Sequence, residues 1–406
     1  MRDRLLSATI AVGITATAVV IVVSVVAVSI DPVAAQAPVS SGAAPASASK
    51  TPWGEPDLQG IWTDETDTPF QRPAKYANQE FFTPAQRAEL DRERSALLGR
   101  RATDRDLAGA YNLAVFTSSK RTGVRTSRIV DPPNGRVPPL SPEAAKVAAA
   151  DREFRLALLQ ATETCKTNLV QCRGGKFDST PSPRRAEPPP RYLAVNFGRI
   201  NRYDGPEDGA LADRCLTLGL PEFGTAFGGS FRRIVQTPGG ISMFYDVGQG
   251  EGWQRNVVMN GSPHLPASIR QWYGDSRGRW EGDTLVIDVT NFSPKTDFQG
   301  SRENLHLVER WTRTGPDTLA YEVTVEDPTV WTRAWTLKQE FTRQSEQQNR
   351  IYYEPRCIEG NASLPAMLLA ARQADIAFAA GRAPDPAKTD NVSTLVDIDT
   401  SVVRDQ

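Results

Sequence analysis

Histidine is almost missing from this chain: 406 residues contain two, His264 and His306. Cysteine and methionine are nearly as scarce, at four residues each. Neither sign of charge is in excess, with 47 Lys plus Arg against 48 Asp plus Glu. Two isolated histidines and scattered carboxylates offer no metal-ligand spacing, and no cysteine pair stands at the spacing of a zinc knuckle. A metal site is therefore not expected. Balanced, dispersed charge argues against nucleic acid as a partner. Gly248-Gln-Gly-Glu-Gly252 is a glycine cluster, but no helix follows it, so it does not make a phosphate cradle. No cofactor is implied.

The termini do not belong to a core. Arg2 and Arg4 precede an uncharged run from Leu5 to Ile30, and Val33-Ala34-Ala35 then offers small residues for cleavage. This is the pattern of an export signal, residues 1–35. The run is also long enough to span a bilayer, so an uncleaved N-terminal anchor is the alternative and the one membrane contact expected. Residues 36–52 are rich in Ala, Ser and Pro and read as a flexible tether. Export suits four cysteines forming two disulfides. Cys165 with Cys172 would close a short loop, and Cys215 with Cys357 a long one worth about 3–5 kcal/mol. Sequence alone leaves the three pairings open.

An N-terminal arm, residues 53–190, carries two helices. Thr83-Pro84-Ala85-Gln86 is a capping box opening a helix over 84–100. Ser141-Pro142-Glu143 opens another over 142–160. From Phe231 the pattern shifts to period two, with short turns between strands. Residues 191–361 therefore read as an antiparallel meandering β-barrel or coiled sheet, lipocalin-like in style. Ile269 to Tyr273 is expected as one of its strands, and Asp275-Ser-Arg-Gly278 as a hairpin turn. A third peripheral helix falls within 362–382, and 383–406 reads as a disordered tail.

Gly274-Asp-Ser276-Arg-Gly278 matches the G-x-S-x-G nucleophile pattern, but strand residues follow where that chemistry needs a helix. The sharpest candidates lie on Leu305–Arg313. Alternation puts His306, Val308, Arg310 and Thr312 on one face, and Leu305, Leu307, Glu309 and Trp311 on the other. A desolvated Glu309, or His306 beside Arg310, has the chemistry of a general acid or base. The two cannot form a dyad through this strand alone. The bland readings are a hydrogen-bonded structural histidine and a Glu309 ion-paired to an arginine on a neighbouring strand. Arg270, Trp272, Trp311, Tyr321, Trp331, Arg333 and Trp335 interleave guanidinium and aromatic groups, as a pocket for a small amphipathic ligand requires. The same tryptophans would equally fill a packed barrel core.

Four motifs carry a family resemblance: Thr51-Pro-Trp-Gly-Glu-Pro-Asp-Leu-Gln-Gly-Ile-Trp62, Gln271-Trp-Tyr-Gly-Asp-Ser-Arg-Gly-Arg-Trp-Glu-Gly-Asp-Thr-Leu285, Glu303-Asn-Leu-His306 and Cys357-Ile-Glu-Gly-Asn361. The chain resembles, over most of residues 51–375, a large group of exported bacterial proteins of uncharacterised activity. Members commonly carry His after the final Cys, where this chain has Ile358. The resemblance implies export and a shared fold, and no reaction. Two functions are expected on these grounds. One is a cofactor-independent lyase, isomerase or hydrolase acting on a small apolar or aromatic compound through His306, Glu309 and Arg310. The other is a non-catalytic periplasmic or envelope-associated ligand-binding protein.

Overall fold

The computed structural model describes residues 50–64, 66–98, 121–167, 172, 175–192, 200–211, 214, 216, 219–223, 231–248, 251–345 and 362–389. The expected export signal, most of the tether, Cys215, Cys357 and the end of the tail lie outside the described residues. The N-terminal arm contributes β1 (Gly60–Thr63), β2 (Thr66–Asp67), β3 (Arg121–Thr122) and β4 (Ile129–Asp131). The longer strands follow: β5 (Phe231–Thr237), β6 (Gly240–Gly248), β7 (Glu251–Val258), β8 (Asp275–Glu281), β9 (Thr284–Thr290), β10 (His306–Gly315), β11 (Thr318–Glu326) and β12 (Trp335–Arg343).

Strands β5 to β12 pair in sequence order, and β1 pairs with both β5 and β12, closing a ring of nine. Such a ring cannot be antiparallel throughout, because directions cannot alternate around an odd number. The parallel pair is β7 with β8, registered at Val257↔Ser276. A parallel neighbour cannot be reached by a tight hairpin. Residues 259–274 supply the crossing connection. The expected strand Ile269–Tyr273 belongs to that connection, and its isolated bridge, Gln271↔Phe292, runs to the loop just after β9. The expected turn Asp275–Gly278 is instead the start of β8. Its glycine is needed for space, since a Cβ on Gly278 would lie 2.3 Å from Met259 Sδ. The barrel is mainly antiparallel with this one exception. The arm is also part of the sheet: β1 and β4 share one edge of β12, β1 at Trp62↔Arg343 and β4 at Leu337↔Ile129.

Period-two alternation sets the interior. Leu285, Ile287 and Val289 of β9, Leu307 and Trp311 of β10, Tyr321 and Val323 of β11, and Leu337 and Phe341 of β12 are all buried. Trp311 stacks on Tyr321 with ring centroids 4.1 Å apart. Phe70 meets Phe223, Phe298 and Trp335 edge-on at 6.0–6.4 Å. Trp331 lies against Trp335 at 5.3 Å. The interior defined by the described residues is thus a packed core.

Helix α1 (Pro84–Leu98) opens on the reciprocal pair Gln86 N–H to Thr83 Oγ1 and Thr83 N–H to Gln86 Oε1, at 3.2 and 2.8 Å. Helix α2 (Pro142–Leu159) is capped by Ser141 Oγ, which accepts from Ala144 N–H. A short α3 (Glu163–Thr167) carries Cys165, which is disulfide-bonded to Cys172. Helix α4 (Ser363–Ala379) completes the set. Among the described residues no helix is long and apolar enough to cross a membrane.

Gly274 ends the crossing connection with φ +64°, and a Cβ there would sit 2.5 Å from Thr290 O. Both strain and collision oppose a side chain. Gly274→Ala is expected to destabilise the fold by about 2 kcal/mol or more in urea unfolding. A loss under about 0.5 kcal/mol would contradict this geometry.

Candidate functional site

Strand β10 sends its three candidate residues to two places. Glu309 points inward and is fully buried. Its Oε1 accepts from the Tyr321 hydroxyl at 2.7 Å, and its Oε2 is ion-paired with Arg255 of β7. The Arg255 guanidinium lies 5.7 Å from the Tyr245 ring centroid. A second buried pair, Arg232 with Glu222 at 2.7 Å, flanks the first, and Arg232 stacks 4.0 Å over Phe341. Burial pulls Arg255 down, but Glu309 outweighs it and holds the guanidinium above its ordinary pKa. Burial pushes Tyr245 up to about 12 and raises Tyr321 well above the usual phenol value, with Glu309 adding to both. Tyr321 therefore stays a donor. Glu309 has its charge matched and both oxygens occupied within a packed core. Ser276 also points inward, buried, with Arg255 Nη1 donating to its Oγ at 3.5 Å. It occupies a strand rather than a nucleophile elbow.

His306 lies on the outer face, where the chain's two histidines meet on one carboxylate. His264 Nε2 is 2.9 Å from Asp288 Oδ1, and His306 Nε2 is 3.3 Å from Asp288 Oδ2. The far nitrogens are also engaged: His264 Nδ1 with Asp275 Oδ2 at 2.8 Å, and His306 Nδ1 with Glu326 Oε2 at 3.3 Å. The His306 hydrogen bonds hold Asp288 below the usual carboxylate range against the effect of burial, with His264 adding to them. Burial would raise Asp275, but Arg277, the Leu265 amide and His264 hold it low. Asp288, foremost, raises His306 above the ordinary imidazole value, against burial. An ionised carboxylate only accepts, so in the charged form of His306 both ring N–H groups have an acceptor. Each ring nitrogen of the two histidines is thus already engaged by a carboxylate. Arg310, also outward, pairs with Glu281 at 2.9 Å.

The residues expected to bind a ligand do not converge. Trp311, Tyr321, Trp331 and Trp335 are buried in the core. Trp272 is half-buried in the crossing connection, where Arg270 is exposed and donates to Glu303 O at 2.8 Å. Arg333 is exposed and pairs with Asp131. Among the described residues no cluster of His, Cys, Asp and Glu is arranged to hold a metal.

A groove of about 730 Å³ lies outside the barrel, between α2, the loop 297–304 and residues 327–330. Its apolar part includes Leu140, Val147, Leu156, Leu159, Ile200 and Val330. Val147 is 43% exposed on this wall. Its polar part centres on Asp297, which lies 3.3 Å from Arg302 and 3.6 Å from Arg191 and accepts from Gly300 N–H at 3.0 Å. Burial raises the Asp297 pKa against both arginines. Sequence reasoning missed this groove. Its one local signal was Val147 among the alanines of α2.

Fold and site together define a closed, mainly β barrel with a lateral groove and a carboxylate-linked histidine pair. No family model and no curated protein matches the chain. A solved structure of a mutant of the fluorescent protein UnaG matches at 14% identity, covering 29% of this chain and 73% of its own, with a TM-score of 0.19. That overlap is too slight to carry an inference.

Two outcomes are expected. Glu309→Gln leaves Arg255 as an uncompensated buried charge and should cost about 3 kcal/mol or more in urea unfolding. The double replacement Arg255→Met with Glu309→Leu should recover most of it. For His306, whose folded pKa is raised, the stabilisation is fully present below about pH 6.5 and lost as pH rises through the folded value. The stability gap between the natural protein and His306→Gln should therefore close as pH rises from neutrality. A gap that widens would contradict this assignment.

Proposed function

We propose that this is an exported protein that binds a small amphipathic molecule in the groove between α2 and the barrel wall. The observation that carries the reading is the groove itself. Its volume of about 730 Å³ falls within the range of small-molecule sites. It also sets exposed apolar side chains, Leu140 and Val147, beside a half-buried arginine–carboxylate cluster. An amphipath matches both parts: its apolar body covers surface that water otherwise wets, and its polar end meets guanidinium and carboxyl groups. Export is supported by the Cys165–Cys172 disulfide and by the uncharged stretch from Leu5 to Ile30 behind a basic start.

Binding without catalysis is the better reading. The general acid or base of the enzymatic reading would be His306 or Glu309. Both ring nitrogens of His306 are engaged by carboxylates, and Glu309 is locked by Arg255 and Tyr321 inside the core. Neither residue lines the groove.

The test is titration with the amphipathic dye anilinonaphthalene sulfonate. Val147→Asp places a charge on the apolar wall at an exposed position, so the fold should hold. Its dye affinity should drop roughly tenfold, the equivalent of losing one buried aliphatic contact. Equal affinity in both proteins would refute the groove as the binding site.

A further inference from the structure

The crossing connection 259–274 is held to the barrel in two regions, and Arg277 Nη1 of β8 also donates to Ser262 Oγ at 2.7 Å. At the first, His264 reaches Asp275 of β8 and Asp288 of β9, and the Leu265 N–H donates to Asp275 at 2.9 Å. At the second, the Gln271 N–H donates to Asn291 O at 3.0 Å, and Gln271 O accepts from Ser293 N–H at 2.8 Å. Arg270 grips Glu303 O, and Asn291 Nδ2 donates to Leu265 O at 2.8 Å. The segment 291–305 is therefore clasped by the crossing connection. It is also one wall of the groove, contributing Asp297, Gln299, Gly300, Arg302, Glu303 and Asn304. His306 is the first residue of β10, directly after that wall.

We propose that His264 and His306 form a proton-operated clasp that holds this wall in place: closed while both imidazoles are protonated, and released when they lose their protons. The inference rests on the groove as the binding site and adds its regulation. The charges facing the pair come from every strand beneath it. They are Asp275 and Arg277 of β8, Asp288 of β9 and Glu326 of β11, with Arg277 joined to Asp275 at 2.9 Å. Further along the outer face, Arg310 is taken by Glu281, and Glu322 by Lys338 at 2.6 Å. With both rings protonated, three carboxylates face three cations and every ring N–H has an acceptor. With both rings neutral, three carboxylates face one guanidinium. One nitrogen of each ring then presents a lone pair to a carboxylate oxygen. Repulsion then replaces one of the two charge-assisted hydrogen bonds of each ring. His264 is the mobile partner, because it comes from the connection while all the others sit on strands. Releasing it frees the Arg270 and Gln271 contacts that steady the groove wall.

The experiment follows the natural protein and the double variant His264→Gln/His306→Gln between about pH 6 and pH 8.5, spanning the ordinary imidazole value and the range above it. Amide hydrogen exchange is read in 260–273 and 293–305, corrected for its intrinsic rise with pH. Affinity for anilinonaphthalene sulfonate is read in parallel. In the natural protein, protection in both segments is expected to fall together as pH rises, and dye affinity to fall about tenfold, a usual size for coupling between sites. In the double variant both readouts should be flat with pH. Pinned segments at every pH in the natural protein, or the same pH curve in the double variant, would overturn the clasp. If dye binding depends on Val147 but not on pH, the groove reading stands and the clasp fails. If exchange titrates but the dye ignores Val147, the groove reading fails and takes the gating claim with it. The natural protein's own titration keeps the test decisive should the double variant not fold.

Discussion

A closed ring of nine strands must contain one parallel pair, and much of this molecule follows from that constraint. The ring is closed by β1, four residues from an arm far away in sequence. With β1 in place the parity is odd, and β7 and β8 take the parallel pairing. A parallel pairing needs a long connection, and residues 259–274 provide it. That connection carries His264 across the outside of the sheet to Asp288, where His306 also arrives. Two of the scarcest residues in the chain thus share one carboxylate because of how the barrel closes.

The barrel has two kinds of electrostatics on opposite sides of its wall. Inside, Arg255 with Glu309 and Arg232 with Glu222 are buried among aromatic rings. Such pairs cost desolvation on both partners and contribute mainly when every charge is matched. Outside, the histidine–carboxylate chain is half-exposed and neutral only while the imidazoles are charged. Inside, Glu309 holds Arg255 above its ordinary value, and burial together with Glu309 raises Tyr321, so the phenol keeps its proton. The outer chain is the part of the wall whose charge changes within the working range of a protein. Strand β10 contributes to both, through Glu309 on one face and His306 on the other.

Local features were legible where the information is local. Alternation along Leu305–Arg313 separates His306 from Glu309, and the structure puts Glu309 inside with Trp311. The Thr83 and Ser141 caps can be read because their donors lie three residues on. The pairs β5–β6, β6–β7, β8–β9 and β10–β11 follow from the short gaps between their strands. Non-local features were not legible. Gly60–Thr63 is too short to announce itself as the closing strand, and its partners lie beyond residue 230. Ile269–Tyr273 has strand-like residues, yet its backbone bonds go to a loop, because the connection has to cross. Asp275–Gly278 has turn chemistry, but Asp275 is consumed by Arg277, His264 and the Leu265 amide, and Gly278 is there to admit Met259. His264 looked isolated because Asp288 lies 24 residues away, across that same connection. The groove depends on where α2 lies, which no pattern within the helix specifies.

The account stands or falls on the shared carboxylate. Nitrogen NMR of histidine-labelled protein tests it most directly, since the chain gives two imidazoles and a single substitution assigns them. At about pH 6 both nitrogens of His306 are expected to be protonated, and to stay so to a pH above the ordinary imidazole value of about 6.5. A His306 that titrates at or below about 6.5, or is found as a single neutral tautomer at about pH 6, would contradict the shared-carboxylate arrangement.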